Sequence, residues 1–250
     1  LSGDKRAKHV TLGTADLAGS WSVHYRNQNT DRPVSLIDFP YMTLLGNRGD
    51  TKNPATKLYE AFPTCATTTA CTSPYKHDSS HQPSLAYLPY LVTGDYYYLE
   101  EVQFWAMWNT FASNPHYRQF GKGLFQSDQV RGQAWALRSL AEATYITPDS
   151  DPLKQQFDYF LTSNFDWYNT TYTTNASANK LGAIVNGYAF AYSGGTGIAP
   201  WQDDFFTAAV GRAAELGSAG AKQFSVWKTK FAIGRMTSPG EGARPVVHWI

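Results

Sequence analysis

The sequence predicts an all-α protein made of helical hairpins, an (α/α) arrangement forming a partial toroid, behind a short β-like or extended N-terminal lead-in. Three observations carry this. From Pro83 to Phe231 apolar residues recur at three- and four-residue spacing, as in Leu85, Leu88 and Val92 or Leu99, Val102, Trp105, Ala106 and Phe111. The junction Thr93-Gly94-Asp95 followed by Leu99 returns 54 residues later as Thr147-Pro148-Asp149 followed by Leu153, which marks one hairpin unit used twice. Ahead of Pro83 that periodicity is missing.

In chain order, residues 9–48 mix short β-favouring runs, His9-Val10-Thr11-Leu12 and Trp21-Ser22-Val23-His24-Tyr25, with Gly, Asn, Asp and Pro, and so predict a strand pair or extended lead-in. Residues 49–80, rich in Thr, Ser and Pro, read as a long loop. The organisation is therefore 1–80 as lead-in and loop, and 81–250 as the helical-hairpin domain. Helices are expected over 83–93, 96–113, 128–145, 152–164, 181–192, 202–216 and 219–232. At the first junction Gly94 suits a left-handed helix end and Asp95 a cap for the next helix, with Glu100 and Glu101 near its start. At the second, Asp151 before Pro152 is a cap and first-turn pair. Ala213-Ala214-Glu215-Leu216-Gly217, then Ala219, reads as a third, degraded junction.

Composition narrows the function classes. Lys and Arg number 21 against 20 Asp and Glu, and charged residues are only 16%, so no strong field exists to hold nucleic acid or an acidic membrane. No window reaches the roughly 18 consecutive apolar residues of a membrane span. The 16 Tyr, 14 Phe and 8 Trp suit flat ligands such as sugar rings as well as helix packing. Cys65 and Cys71 sit in one short loop where a disulfide would staple the chain, which favours a secreted or periplasmic protein. Two sequons, at Asn169 and Asn175, matter only in a eukaryotic source.

The stretches His81-Gln82-Pro83-Ser84-Leu85-Ala86-Tyr87, Leu91-Val92-Thr93-Gly94-Asp95 with Tyr98-Leu99, and Asp128-Gln129-Val130-Arg131-Gly132-Gln133-Ala134-Trp135 resemble segments of (α/α)-toroid carbohydrate-active proteins, a group that includes six-hairpin glycosidases and several polysaccharide lyases. The resemblance spans about residues 80–232. It implies alternating inner and outer helices, with the loops before the inner helices gathered on one face. Those loops carry His77, Asp78 and His81, then Asp128, Gln129 and Arg131, then Trp201, Gln202, Asp203 and Asp204.

Each group has a chemical reading and a structural one. His77 and His81 with Asp78 between them suit proton transfer near neutral pH, or serve as a loop cap; too few ligands are specified for a metal. Arg131 can grip a sugar carboxylate in bidentate fashion, or pair at helical spacing with a capping Asp128. Trp201 can stack on a sugar, and Asp203 or Asp204 can act as an acid if desolvated, although neighbouring acids on a helix diverge. Tyr188 is a second candidate base, while Gln129, Trp135, Asn186 and His77 are candidate substrate contacts. The glycine-rich Ser193–Gly197 turn lacks the pattern of a dinucleotide site. No serine-hydrolase elbow, zinc-protease helix, phosphate-cradling loop or reactive-cysteine setting occurs, and no cofactor is expected.

The leading expectation is a polysaccharide lyase performing β-elimination on a uronate-containing glycan. Arg131 with Gln129 or Asn186 would neutralise the carboxylate, and His81 or Tyr188 would remove the α-proton. An inverting glycoside hydrolase, pairing Asp203 or Asp204 with an acid such as Asp128, is the first alternative. A non-catalytic glycan-binding or structural module of a larger surface or particle protein is the second.

Overall fold

The structure, a computed structural model, describes residues 3–44, 52–58, 60, 78–126, 129–185 and 199–237. Among these the chain is all-α, and no strand forms. The first helix, α1 (Lys5–Ala15), takes up the run read above as β-favouring. Asp4 caps it by accepting a hydrogen bond from the Arg6 N–H at 2.8 Å. Its first turn, Lys-Arg-Ala-Lys, is made of good helix formers, and Val10 lies exposed with no neighbouring strand to reward its β-branch. The expected strand pair shrinks to one isolated bridge between Arg26 and Pro33, closed by a turn in which the Asp31 N–H reaches the Asn27 carbonyl. Pro33 has no N–H with which to extend a ladder.

Three hairpins follow. The first is α2 (Tyr87–Thr93) and α3 (Tyr96–Phe111), the second α4 (Val130–Ile146) and α5 (Pro152–Tyr168), the third α6 (Pro200–Glu215) and α7 (Ala219–Thr237). Their junctions work as the residues dictate. Gly94 takes φ 69° and its N–H reaches the Tyr90 carbonyl, while the Asp95 carboxylate accepts from the Tyr97 N–H. Asp151 accepts from the Leu153 N–H, with Pro152 at the first helical position. Gly217, at φ 104°, turns α6 into α7. The helix expected over 181–192 is absent from 181–185: Gly182 there has φ 78° and lies so close to the α7 backbone at Trp227 that any β-carbon would collide. Residues 186–192 lie outside the described residues.

Helices α4 and α6 run in the same direction, because Arg131 meets Trp201 and Trp135 meets Phe205 at a constant offset in sequence. Their hairpin partners run back: Lys154 of α5 reaches the Thr144 carbonyl, and Lys228 of α7 reaches Asp203. The stretch 78–86 lies along α4 in register with it, since Ser80 contacts Gln129, Gln82 receives Arg138 at its carbonyl, and Ser84 bonds Glu142. Three lanes thus run parallel: 78–93, α4 and α6.

Helix α3 is apolar on nearly all sides and correspondingly buried, from Tyr98 to Phe111 with only Glu100 partly open. One face meets α4. The other is covered by the N-terminal segment, where Val23, Trp21 and Tyr25 pack on Phe104, Trp105 and Trp108. Polar contacts fix that cover: the Tyr97 hydroxyl accepts from the Gly19 N–H, His24 meets Glu101, Arg26 forms a two-armed pair with Glu100, and Arg32 meets Asp151. Fully buried Arg118 binds the carbonyls of Pro40, Met42 and Ser113, and burial pulls its guanidinium down to about 9.

Helix α5 ends in a π turn, Asn169–Thr173, that swings Tyr172 onto Trp227 at 4.8 Å between ring centres. Asn169, the first sequon asparagine, is buried there and donates to the Gly220 carbonyl, whereas Asn175 is exposed.

Candidate functional site

The site is built on the side of α4 that is not packed away. Its sequence places Arg131, Trp135 and Arg138 at positions i, i+4 and i+7, one face of a helix, and these three are half-buried while the residues between them are buried. The 78–86 stretch lines one edge of this strip, and the α6 face with Trp201, Phe205 and Arg212 lines the other.

At the strip's N-terminal end a short relay of hydrogen bonds joins two chemically distinct groups. Asp78 and His81 pair through a carboxylate oxygen and Nδ1 at 2.7 Å. The same carboxylate accepts from the Ser80 N–H at 2.8 Å. Burial would raise Asp78, but hydrogen bonds from His81 and Ser80 and the positive charge of Arg131 outweigh it and hold the carboxyl below its ordinary value. The Ser80 hydroxyl donates to Gln129 Oε1 at 2.5 Å, and that oxygen also accepts from Arg131 Nε at 3.0 Å. Arg131 is thereby held by its inner nitrogen, and among the described residues its two terminal nitrogens have no acceptor. The Arg131 N–H also donates to Gln202, and its guanidinium lies 5.7 Å from the centre of the exposed Trp201 ring.

Two turns on, Arg138 lies over the Trp135 ring at 4.4 Å and donates through one terminal nitrogen to the Gln82 carbonyl. Phe205 packs against Trp135 at 4.2 Å, so this ring is engaged by protein groups and props Arg138. Glu142 stands 4.0 Å from Arg138 Nε and accepts from the Ser84 hydroxyl. Burial pulls Arg138 down and pushes Glu142 up, each partly countered by the other's charge.

Of the residues read from sequence, the structure brings together Asp78, His81, Gln129, Arg131, Trp135, Trp201 and Gln202. It separates Asp203 and Asp204 from them. Asp203 is fully buried, bonded to Lys228 Nζ at 2.5 Å and to the Ile184 N–H, with no route to a ligand. Asp204 points away to a two-oxygen pair with Arg235. The expectation of an acid from Asp203 in a hydrolase pair is corrected by that enclosure: the carboxylate neutralises an internal lysine. His77, Asp128, Asn186, Tyr188, Cys65 and Cys71 lie outside the described residues.

Sequence reading passed over Arg138, Ser80 and Arg212. The signal for Arg138 was present, since Arg131, Trp135 and Arg138 share one helical face with aromatic and cationic residues where a solvated face would carry mixed charges. Ser80 had no such signal, because a serine before a helix lane has many local uses.

Among the described residues there is no cluster of three or more His, Cys, Asp or Glu able to hold a metal, and no helix long and apolar enough to cross a membrane. Fold and site together define an all-α, three-hairpin protein with a cationic, aromatic strip on its second hairpin. No family model, curated protein or solved structure matches the chain.

Proposed function

We propose that this chain is an exported carbohydrate-active protein of partial (α/α)-toroid architecture that cleaves a uronate-containing polysaccharide by β-elimination. The observation supporting this most is the relay Asp78–His81 to Ser80–Gln129–Arg131, which sets a carboxylate-backed imidazole beside an arginine with two open donors. Arg131 receives the uronate carboxylate through its terminal nitrogens and so acidifies the neighbouring carbon. His81, with Nδ1 engaged by Asp78, takes that carbon's proton at Nε2. The freed electron pair forms a carbon–carbon double bond, the bond to the leaving glycosidic oxygen breaks, and that oxygen takes up a proton. Trp201 offers the exposed ring on which the sugar stacks. The parallel lanes 78–93, α4 and α6 favour the toroid part of the reading, since inner helices of such rings share one direction.

The test is incubation with a panel of uronate-containing and neutral polysaccharides, following ultraviolet absorbance of unsaturated products and, separately, reducing ends. Absorbance growth on a uronate polymer is expected, with H81A and R131A each lowering the rate by about a hundredfold or more, the usual scale for losing a general base or a charge-stabilising group. Reducing ends without absorbance would replace elimination by hydrolysis. Neither signal, with glycan still bound, would make the chain a binding module.

A further inference from the structure

The strip continues past Arg131, and its far end holds a second cation that the elimination chemistry does not use. Arg131 and Arg138 are seven residues apart on α4, which at the helical rise sets them about 10 Å apart along the axis. An extended glycan covers roughly that distance with two sugars. Arg138 is oriented on three sides: Trp135 beneath it, the Gln82 carbonyl at one terminal nitrogen, and Glu142 beside Nε. Its other terminal nitrogen has no acceptor among the described residues and is not enclosed.

We infer that the strip reads two acid groups of a single glycan, one at Arg131 and the next at Arg138, so that the substrate class is a polymer bearing an acid on every second sugar. The inference rests on the reading of Arg131 as the carboxylate-binding group. Two fixed cations separated by two sugars discriminate by spacing: an acid on alternate sugars meets both, whereas a polymer with an acid on every sugar must place an intervening charge against Trp135 and Phe205, where no cation stands. Glu142 opposes an anion at Arg138 through its charge, yet its carboxylate is occupied by the Ser84 hydroxyl and its burial favours the protonated form. Arg212, the next cation along, is already committed to the Tyr87 hydroxyl and to Glu215, and so ends the strip.

Equilibrium binding in an H81A background, which stops turnover, tests this with three size-matched oligosaccharides: acid on alternate sugars, acid on every sugar, and neutral. R138Q is expected to weaken the alternating ligand about tenfold or more, the scale of a lost hydrogen bond to a charged group, and to leave a disaccharide with one acid unchanged. E142Q, which keeps an acceptor for Ser84 and removes the opposing charge, is expected to tighten the alternating ligand. R131A is expected to weaken every acidic ligand. If R131A weakens binding while R138Q and E142Q leave the alternating ligand unmoved, the spacing inference fails and the function stands. If R131A is without effect, the carboxylate reading itself fails. Thermal melts of each variant separate lost binding from lost folding.

Discussion

Consecutive residues on a helix point about 100° apart, and Asp203 and Asp204 show what that does to two carboxylates. One turns inward to Lys228 and the Gly182 carbonyl's side of the core, the other outward to Arg235. Composition alone makes such a pair look catalytic; only burial and partners reveal an internal ion pair and a surface one. Glu142 offers a sharper test of burial. Folded, it holds its proton more tightly than the unfolded chain does, so its contribution to stability is fully present below the ordinary value of 4.5 and is lost as pH rises through its elevated folded value. E142Q removes this dependence, and urea unfolding should show the variant gaining stability relative to the wild type on going from acid to neutral pH. An offset that is the same at both ends would contradict burial as the cause. His81, Gln129 and Arg131 were legible because each stood in a run preceding or opening a helix. Arg138 hid in plain periodicity, since its neighbours made the helix look like core.

At the scale of elements, the hairpin junctions were the most readable part of the chain, because caps and turns are short-range chemistry. Asp95 and Asp151 each accept from an N–H two residues on, but their duties differ. Asp151 also takes Arg32 at 2.7 Å and Gln103 at 3.1 Å, tying two other elements to α5. D95A should cost about 1 kcal/mol, the ordinary value of a cap, and D151A clearly more. Chemical denaturation of both variants checks the order, and equal losses would mean that the added contacts carry no weight. The N-terminal run misled for a physical reason: β-branched residues favour strands only where neighbours reward them, and Val10 has none. At 181–185, Gly182's close approach to α7 is a tertiary constraint that no local pattern announces.

For the molecule as a whole, the lead-in is a lid on the core, since α3 is apolar on both of its faces and only the 18–36 stretch covers the second. Removing residues 1–34 would uncover Phe104, Trp105 and Trp108 and leave Glu101 without His24. The truncated protein should melt at a lower temperature and bind a hydrophobic dye in its native baseline; a melt unchanged from full length would refute that role. This dependence was invisible in sequence because it joins segments far apart, whereas the three-hairpin plan repeats a local motif and could be read off its periodicity.

That same distance sets an order of events during synthesis. The Ser35 hydroxyl finds Gln156, its hydrogen-bond partner, 121 residues further along the chain. With ribosomes adding about 5–20 residues per second, Ser35 leaves the tunnel roughly 6–24 s before its partner exists. Through that interval Val23 and Leu36, fully enclosed in the finished protein, are exposed to water and to other nascent chains. The first segment made is therefore the last to dock, and the newborn chain depends on holding its own beginning apart until the second hairpin has closed.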